Sequence, residues 1–113
     1  MTGATLTRRL DDAIGAAALR ALPALCRAHH VARLDVFGSA GTERFDPARS
    51  DIDLLVEFAD VPIARFAENW RHFEQALERL LGRRVELIDA ASLENPYFRA
   101  EVLATRQMLY AHP

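Results

Sequence analysis

The sequence predicts an α+β (mixed α/β) domain, a small mixed sheet flanked by helices. Three observations carry this reading. Apolar residues recur at spacings of three and four from Ile63 to Leu81, which is the period of one helix face. Strict alternation of apolar and polar residues runs through Ile52-Asp53-Leu54-Leu55-Val56-Glu57-Phe58, broken only at Leu55, which is the period of a half-buried strand. Two further short apolar runs, 32–37 and 85–88, sit beside glycine or charged turns.

Taken in order, the Ala/Leu-rich opening reads as helical, with Leu6, Leu10, Ile14 and Ala17 at helical spacing. Pro23 suits the first turn of a second helix through Ala24, Leu25, Cys26 and Arg27. Residues 1–20 are thus expected to form an N-terminal helical extension and 21–113 a single domain. Ala32 to Phe37 reads as a strand stopped by Gly38-Ser39, and the polar stretch 40–50 as a loop holding at most one short helix. After the alternating strand and the long helix, Gly82 supplies a helix stop, and Val85-Glu86-Leu87-Ile88 begins a third strand. Asn95 can cap a last helix with Pro96 in its first position and Phe98, Val102, Thr105 and Leu109 on its apolar side.

Composition narrows the function. The 113 residues include 14 Lys+Arg against 16 Asp+Glu, a net charge of −2, and half of them are hydrophobic. This reads as one globular domain with a modest core, too small to hold two catalytic domains, so any second substrate site is expected to be small or borrowed. A near-balanced charge argues against direct nucleic-acid binding, which needs a concentrated Lys/Arg surface. The single cysteine, Cys26, allows no internal disulfide and no multi-cysteine zinc site, and it reads as a small buried hydrophobe. With no signal-like apolar run at the N-terminus and no stretch of about 18 apolar residues for a membrane span, a cytoplasmic protein is expected.

The chemistry-bearing residues are Phe37-Gly38-Ser39, then eleven residues later Ser50-Asp51-Ile52-Asp53, and Glu86 on the following strand. Asp51 and Asp53 are two apart on a strand, so their carboxylates leave one face roughly 7 Å apart. With Glu86 beside them, three ionised carboxylates repel unless a cation intervenes. Hard oxygen ligands favour Mg²⁺, with Mn²⁺ the alternative, and two such ions about 4 Å apart would activate an attacking hydroxyl and neutralise a leaving pyrophosphate. Gly38 would let the backbone approach a phosphate, and the Ser39 hydroxyl and following amides could donate to phosphate oxygens. No Walker loop occurs. Asp89 lies on the parity of the core residues, so Glu86 is preferred as the third carboxylate. Glu57 shares the acidic face further along and reads as a solvated edge residue. Arg44 and Arg49 are loop charges that would either contact phosphate or remain solvated. His29 and His30 end a helix, and His72 lies on a polar helix face.

The run Phe37-Gly38-Ser39-Ala40, Arg44-Phe45-Asp46-Pro47, Ser50-Asp51-Ile52-Asp53-Leu54-Leu55-Val56-Glu57-Phe58 resembles the signature of the minimal nucleotidyltransferases of the DNA polymerase β-like superfamily. The likeness continues through Leu80-Leu81-Gly82-Arg83-Arg84-Val85-Glu86-Leu87-Ile88 and Asn95-Pro96-Tyr97-Phe98, and so covers residues 22–111. It implies the polymerase β-like fold, metal binding and catalysis by Asp51, Asp53 and Glu86, and nucleotide binding by Gly38 and Ser39. It also implies ATP as donor, with AMP passed to a hydroxyl of a partner protein. Relatives of this size act as antitoxins of HEPN-type ribonuclease toxins, and some transfer AMP to a toxin tyrosine. Two departures accompany the resemblance: Glu86 stands where relatives carry Asp, and the loop after Ser39 has eleven residues and Gly41-Thr42 where many relatives have ten and Arg-Gly. They support the alternative, an antitoxin of weak or no turnover that masks its partner by binding alone.

Overall fold

The structure, a computed structural model, describes residues 14–38 and 51–112. Its elements are α1 (Ala16–Ala28), β1 (Val31–Phe37), β2 (Ile52–Phe58), α2 (Ile63–Leu81), β3 (Val85–Asp89), a short 3₁₀ turn (Ala90–Ser92), α3 (Pro96–Thr105) and β4 (Gln107–Ala111). The loop expected over 40–50 and the helical reading of Leu6 and Leu10 fall outside the described residues.

The four strands form one mixed sheet in the order β3-β2-β1-β4. β1 pairs antiparallel with β2 and β4, while β2 and β3 run parallel. A parallel pair needs a crossover, and α2 supplies it. The alternation in β2 does what its period dictates: Ile52, Leu54 and Val56 are buried on one face together with Val31, Leu34 and Val36 of β1 and Val85 and Leu87 of β3. Helices α1 and α2 cover that face, α2 through fully buried Phe73 and Leu77. Phe58 at the end of β2 packs edge to face against Phe66 and Phe73. The opposite face carries a smaller cluster of Phe37, Leu55 and Val102, flanked by Ile88, Ala90 and Leu93, with α3 laid across it.

Several ends are fixed by capping. Gly82 ends α2 in the left-handed conformation, with φ 67°, and donates its N–H to the Glu78 carbonyl. The Glu78 carboxylate in turn accepts from the Val85 amide at 3.1 Å, which pins the start of β3. Asn95 caps α3 by accepting from the amides of Tyr97 and Phe98. The His29 ring lies 2.9 Å from the Leu25 carbonyl at the end of α1, and the Asn69 amide of α2 donates to the His29 carbonyl. Cys26 is fully buried, and burial pushes its thiol up to about 12, so it stays protonated and inert.

Two sequence expectations are corrected. Pro23 does not open a second helix: α1 runs through it without a break, and the interruption falls at Gly15, where φ is 98°. Ile14, Ala18, Leu22 and Cys26 form a stripe of four-residue spacing buried in the core. Burying that stripe offsets the roughly 3 kcal/mol that an interior proline costs. The expected Ala17 is exposed, one position off the stripe. At the other end, the last helix does not reach Leu109. It stops at Thr105, Arg106 turns to extended backbone, and 107–111 pairs with β1 as an edge strand. Tyr110 lies opposite Leu34 there and is buried in the main core.

No helix among the described residues is long and apolar enough to cross a membrane.

Candidate active site

The site lies at one end of the sheet, where β1 finishes and β2 and β3 begin. Asp53 is the second residue of β2, and the pairing sets it opposite Phe37 of β1 on one side and Glu86 of β3 on the other. Neighbouring strands run about 4.8 Å apart, so register alone brings these residues side by side. The backbone of Gly38 continues past Phe37 with φ 71°, a conformation that favours glycine. A Cβ built there would lie 2.8 Å from Asp53 Oδ2. Gly38 is therefore the only kind of residue that lets the chain pass so close to this carboxylate.

Asp53 is half-buried, Glu86 and Asp51 are exposed, and Asp51 sits immediately before β2. Burial pushes the Asp53 carboxyl up to about 6, helped by the charge of Glu86, a side-chain hydrogen bond with Glu86, and the charges of Asp51 and Glu101. That hydrogen bond requires a proton on one of the two carboxyls. The structure thus brings Gly38, Asp53 and Glu86 together and sets Asp51 within electrostatic reach; Ser39, Arg44 and Arg49 lie outside the described residues.

The donor set is oxygen only, the chemistry of a hard divalent cation. Among the described residues no three Asp, Glu, His or Cys side chains already stand around a common point. A cation held here would offset the mutual repulsion of these carboxylates. Among the rejected candidates, Asp89 is used locally, its carboxylate accepting from the Ala91 amide at 3.0 Å in the turn after β3. Glu57 is exposed.

Sequence reasoning missed two acidic residues. Glu101, on α3 one position before buried Val102, is a third charge acting on Asp53, and it becomes visible only when α3 is laid over the sheet. Asp35 of β1 is 1% exposed and lies on the same sheet face. Both its oxygens accept from Arg33 Nε, at 3.2 and 3.0 Å, and Arg106 approaches to 3.9 Å. The signal for Asp35 was an acidic residue inside an apolar strand two positions from an arginine, which puts both on one face. Arg106 could not be foreseen while the segment up to Leu109 read as helix.

A cavity of about 400 Å³ lies at the far end of the sheet, lined by His30, Asp60, Arg65, Glu68, Asn69 and His72. Its lining of mixed charge lies at the other end of the sheet from the carboxylate cluster.

A sequence profile described as the nucleotidyltransferase domain matches residues 19–109, most of the chain. The chain belongs to the nucleotidyltransferase domain family. Within that family its likeness is to the minimal members. A solved structure described as a minimal nucleotidyltransferase superposes with a TM-score of 0.59 at 34% identity, over 95% of each chain. A protein of Methanocaldococcus jannaschii assigned as a protein adenylyltransferase is 36% identical over 76 residues, 66% of this chain and 71% of the relative. The fold also matches a complex of a tri-AMPylated Shewanella oneidensis HEPN toxin with its MNT antitoxin, at a TM-score of 0.58 and 21% identity, over 85% of this chain and 71% of that one. That last likeness bears on the fold alone. The mixed α+β architecture of this nucleotidyltransferase is that of the polymerase β-like fold.

Proposed function

We propose that this nucleotidyltransferase moves AMP from ATP to a hydroxyl of a partner protein, a HEPN-type ribonuclease toxin, in the cytoplasm, and so acts as its antitoxin. The observation that carries the reading is Asp53 held between Gly38 and Glu86 in a cluster of four acidic residues. The adenylyltransferase relative and the antitoxin complex support the choice of AMP and of partner.

In this reading Asp51, Asp53 and Glu86 hold Mg²⁺, which when bound would neutralise the pyrophosphate leaving group and acidify the acceptor hydroxyl. Gly38 lets the backbone pass beside the Asp53 carboxylate, which would set the proposed triphosphate-binding turn next to the metal ligands. The Gly38 amide is already engaged by the Thr105 hydroxyl, so backbone donors for phosphate begin at Ser39 and the residues after it. Glu86 lies beside Asp53 on the exposed side of the cluster, suited to accept the proton of the acceptor hydroxyl.

With ATP labelled at its α-phosphorus, the purified protein and its co-expressed partner are expected to give a labelled partner in Mg²⁺ and none in EDTA. Label that persists in EDTA would contradict the metal assignment. Label arriving only from the γ-phosphorus would contradict nucleotidyl transfer, because that is the product of a kinase.

A further inference from the structure

The structure assigns Thr105 as a positioning residue for the proposed nucleotide site: its hydroxyl, at the last turn of α3, fixes the backbone of Gly38 immediately after β1. The inference rests on the nucleotide-binding reading of that site and adds a residue from the far end of the chain to it.

The hydroxyl of Thr105 has one proton and two acceptor sites. It lies 3.0 Å from the Glu101 carbonyl, four residues back in α3, to which it donates. That commits the proton, so toward Gly38 the oxygen can only accept, and the Gly38 N–H donates to it at 3.1 Å. The bond joins residues 67 positions apart and ends on a glycine whose φ is 71° and which has no Cβ to wedge it in place. A glycine there is free to rotate, and its neighbour is the Asp53 carboxylate. The conformation that gives Asp53 its clearance must therefore be held from outside this glycine. Phe37, just before it, is anchored by burial and by an edge contact with Phe98 of α3. After Phe37, the Thr105 hydroxyl holds the next backbone amide.

The same hydroxyl couples Gly38 to Glu101, since the helix turn that carries Glu101 is the one whose carbonyl receives the Thr105 proton. One oxygen thereby links the end of β1 to the segment of α3 that faces Asp53. Next to it, Arg106 reaches Asp35 on the same strand, so the end of α3 is tied to β1 at two neighbouring positions.

The test compares Thr105→Val, which keeps the shape and removes the hydroxyl, with Thr105→Ser, which keeps the hydroxyl. Two measurements are made on the full chain: the Kd for ATP in Mg²⁺ by titration calorimetry, and kcat and KM for ATP in transfer to the co-expressed partner. Thr105→Val is expected to raise Kd and KM about tenfold with kcat within about twofold. Thr105→Ser is expected to stay within about twofold of the wild type in all three. A Thr105→Val protein that binds ATP like the wild type overturns the proposal. So does a Thr105→Ser protein as weak as the valine variant. A valine variant with lower kcat and unchanged KM also overturns it, because loss of folded enzyme gives that pattern. If the wild type binds ATP and labels no partner, the transfer reading fails and Thr105 is judged on Kd alone; if the wild type binds no ATP, both fall.

Discussion

Replacing Asp53 by Asn is expected to stop AMP transfer, by about a thousandfold or more, and at the same time to make the metal-free protein more stable at neutral pH. The activity loss follows from position. Asp53 is the carboxylate closest to the Gly38 backbone and the one flanked by Glu86, so removing its charge removes the centre of the proposed metal site. A thousandfold corresponds to about 4 kcal/mol of transition-state stabilisation.

The stability gain follows from electrostatics. The Asp53 carboxyl titrates at about 6 in the folded protein against its ordinary 3.8, so the folded state holds this proton more tightly than the unfolded chain does. Raising the pH from about 4 to about 6 therefore weakens the fold, and the whole penalty is present at pH 7. Asparagine carries no charge and can still donate to Glu86. Because Asp53 is partly open to solvent, screening reduces the gain to about 1 kcal/mol, a few degrees in Tm for a domain of this size. Thermal melts in EDTA should show the variant ahead at pH 7 and the gap closing toward pH 4. A variant that melts below the wild type throughout that range would contradict the electrostatic account.

The second large effect is expected from Gly38→Ala. At φ 71° an alanine is strained by about 1 kcal/mol or more, and its methyl carbon would meet Asp53 Oδ2 at 2.8 Å. The carboxylate must then shift from its place beside Gly38, or the backbone must move and break its bond to Thr105. Either displacement is of the order of 1 Å at the reacting centre and is expected to reduce kcat/KM about a hundredfold. The melting temperature should fall by only a few degrees. Full activity in Gly38→Ala would show that the close approach of backbone to Asp53 is not used.

Much of this architecture was legible because it is written locally. The helix over Ile63 to Leu81 and its stop at Gly82 follow from periodicity and one left-handed glycine. The cap at Asn95-Pro96 is a two-residue signal, and the split of β2 into a core face and a carboxylate face is a period of two. The meeting of Gly38, Asp53 and Glu86 follows from strand ends whose order the sequence suggested, and their chemical roles are what the variants above address. What escaped the sequence is non-local. Strand β4 is five residues long and is stable only because β1 pairs with it, so a helical spacing from Val102 to Leu109 was a coincidence of local pattern. Pro23 sits inside α1 because the stripe from Ile14 to Cys26 is buried by strands far along the chain. Glu101 and Thr105 reach the site only because Val102, between them on α3, packs on Phe37 and Leu55.

The central claim is that this protein acts on its partner by covalent transfer, and one comparison tests it most directly. The partner is co-expressed with the wild type or with the Asp51→Asn/Asp53→Asn double variant, then assayed for label from α-phosphorus-labelled ATP and for ribonuclease activity. Transfer predicts a labelled, inactive partner with the wild type and an unlabelled, active ribonuclease with the double variant. An unlabelled partner that is bound and inhibited equally by both proteins would contradict the account and establish neutralisation by contact alone.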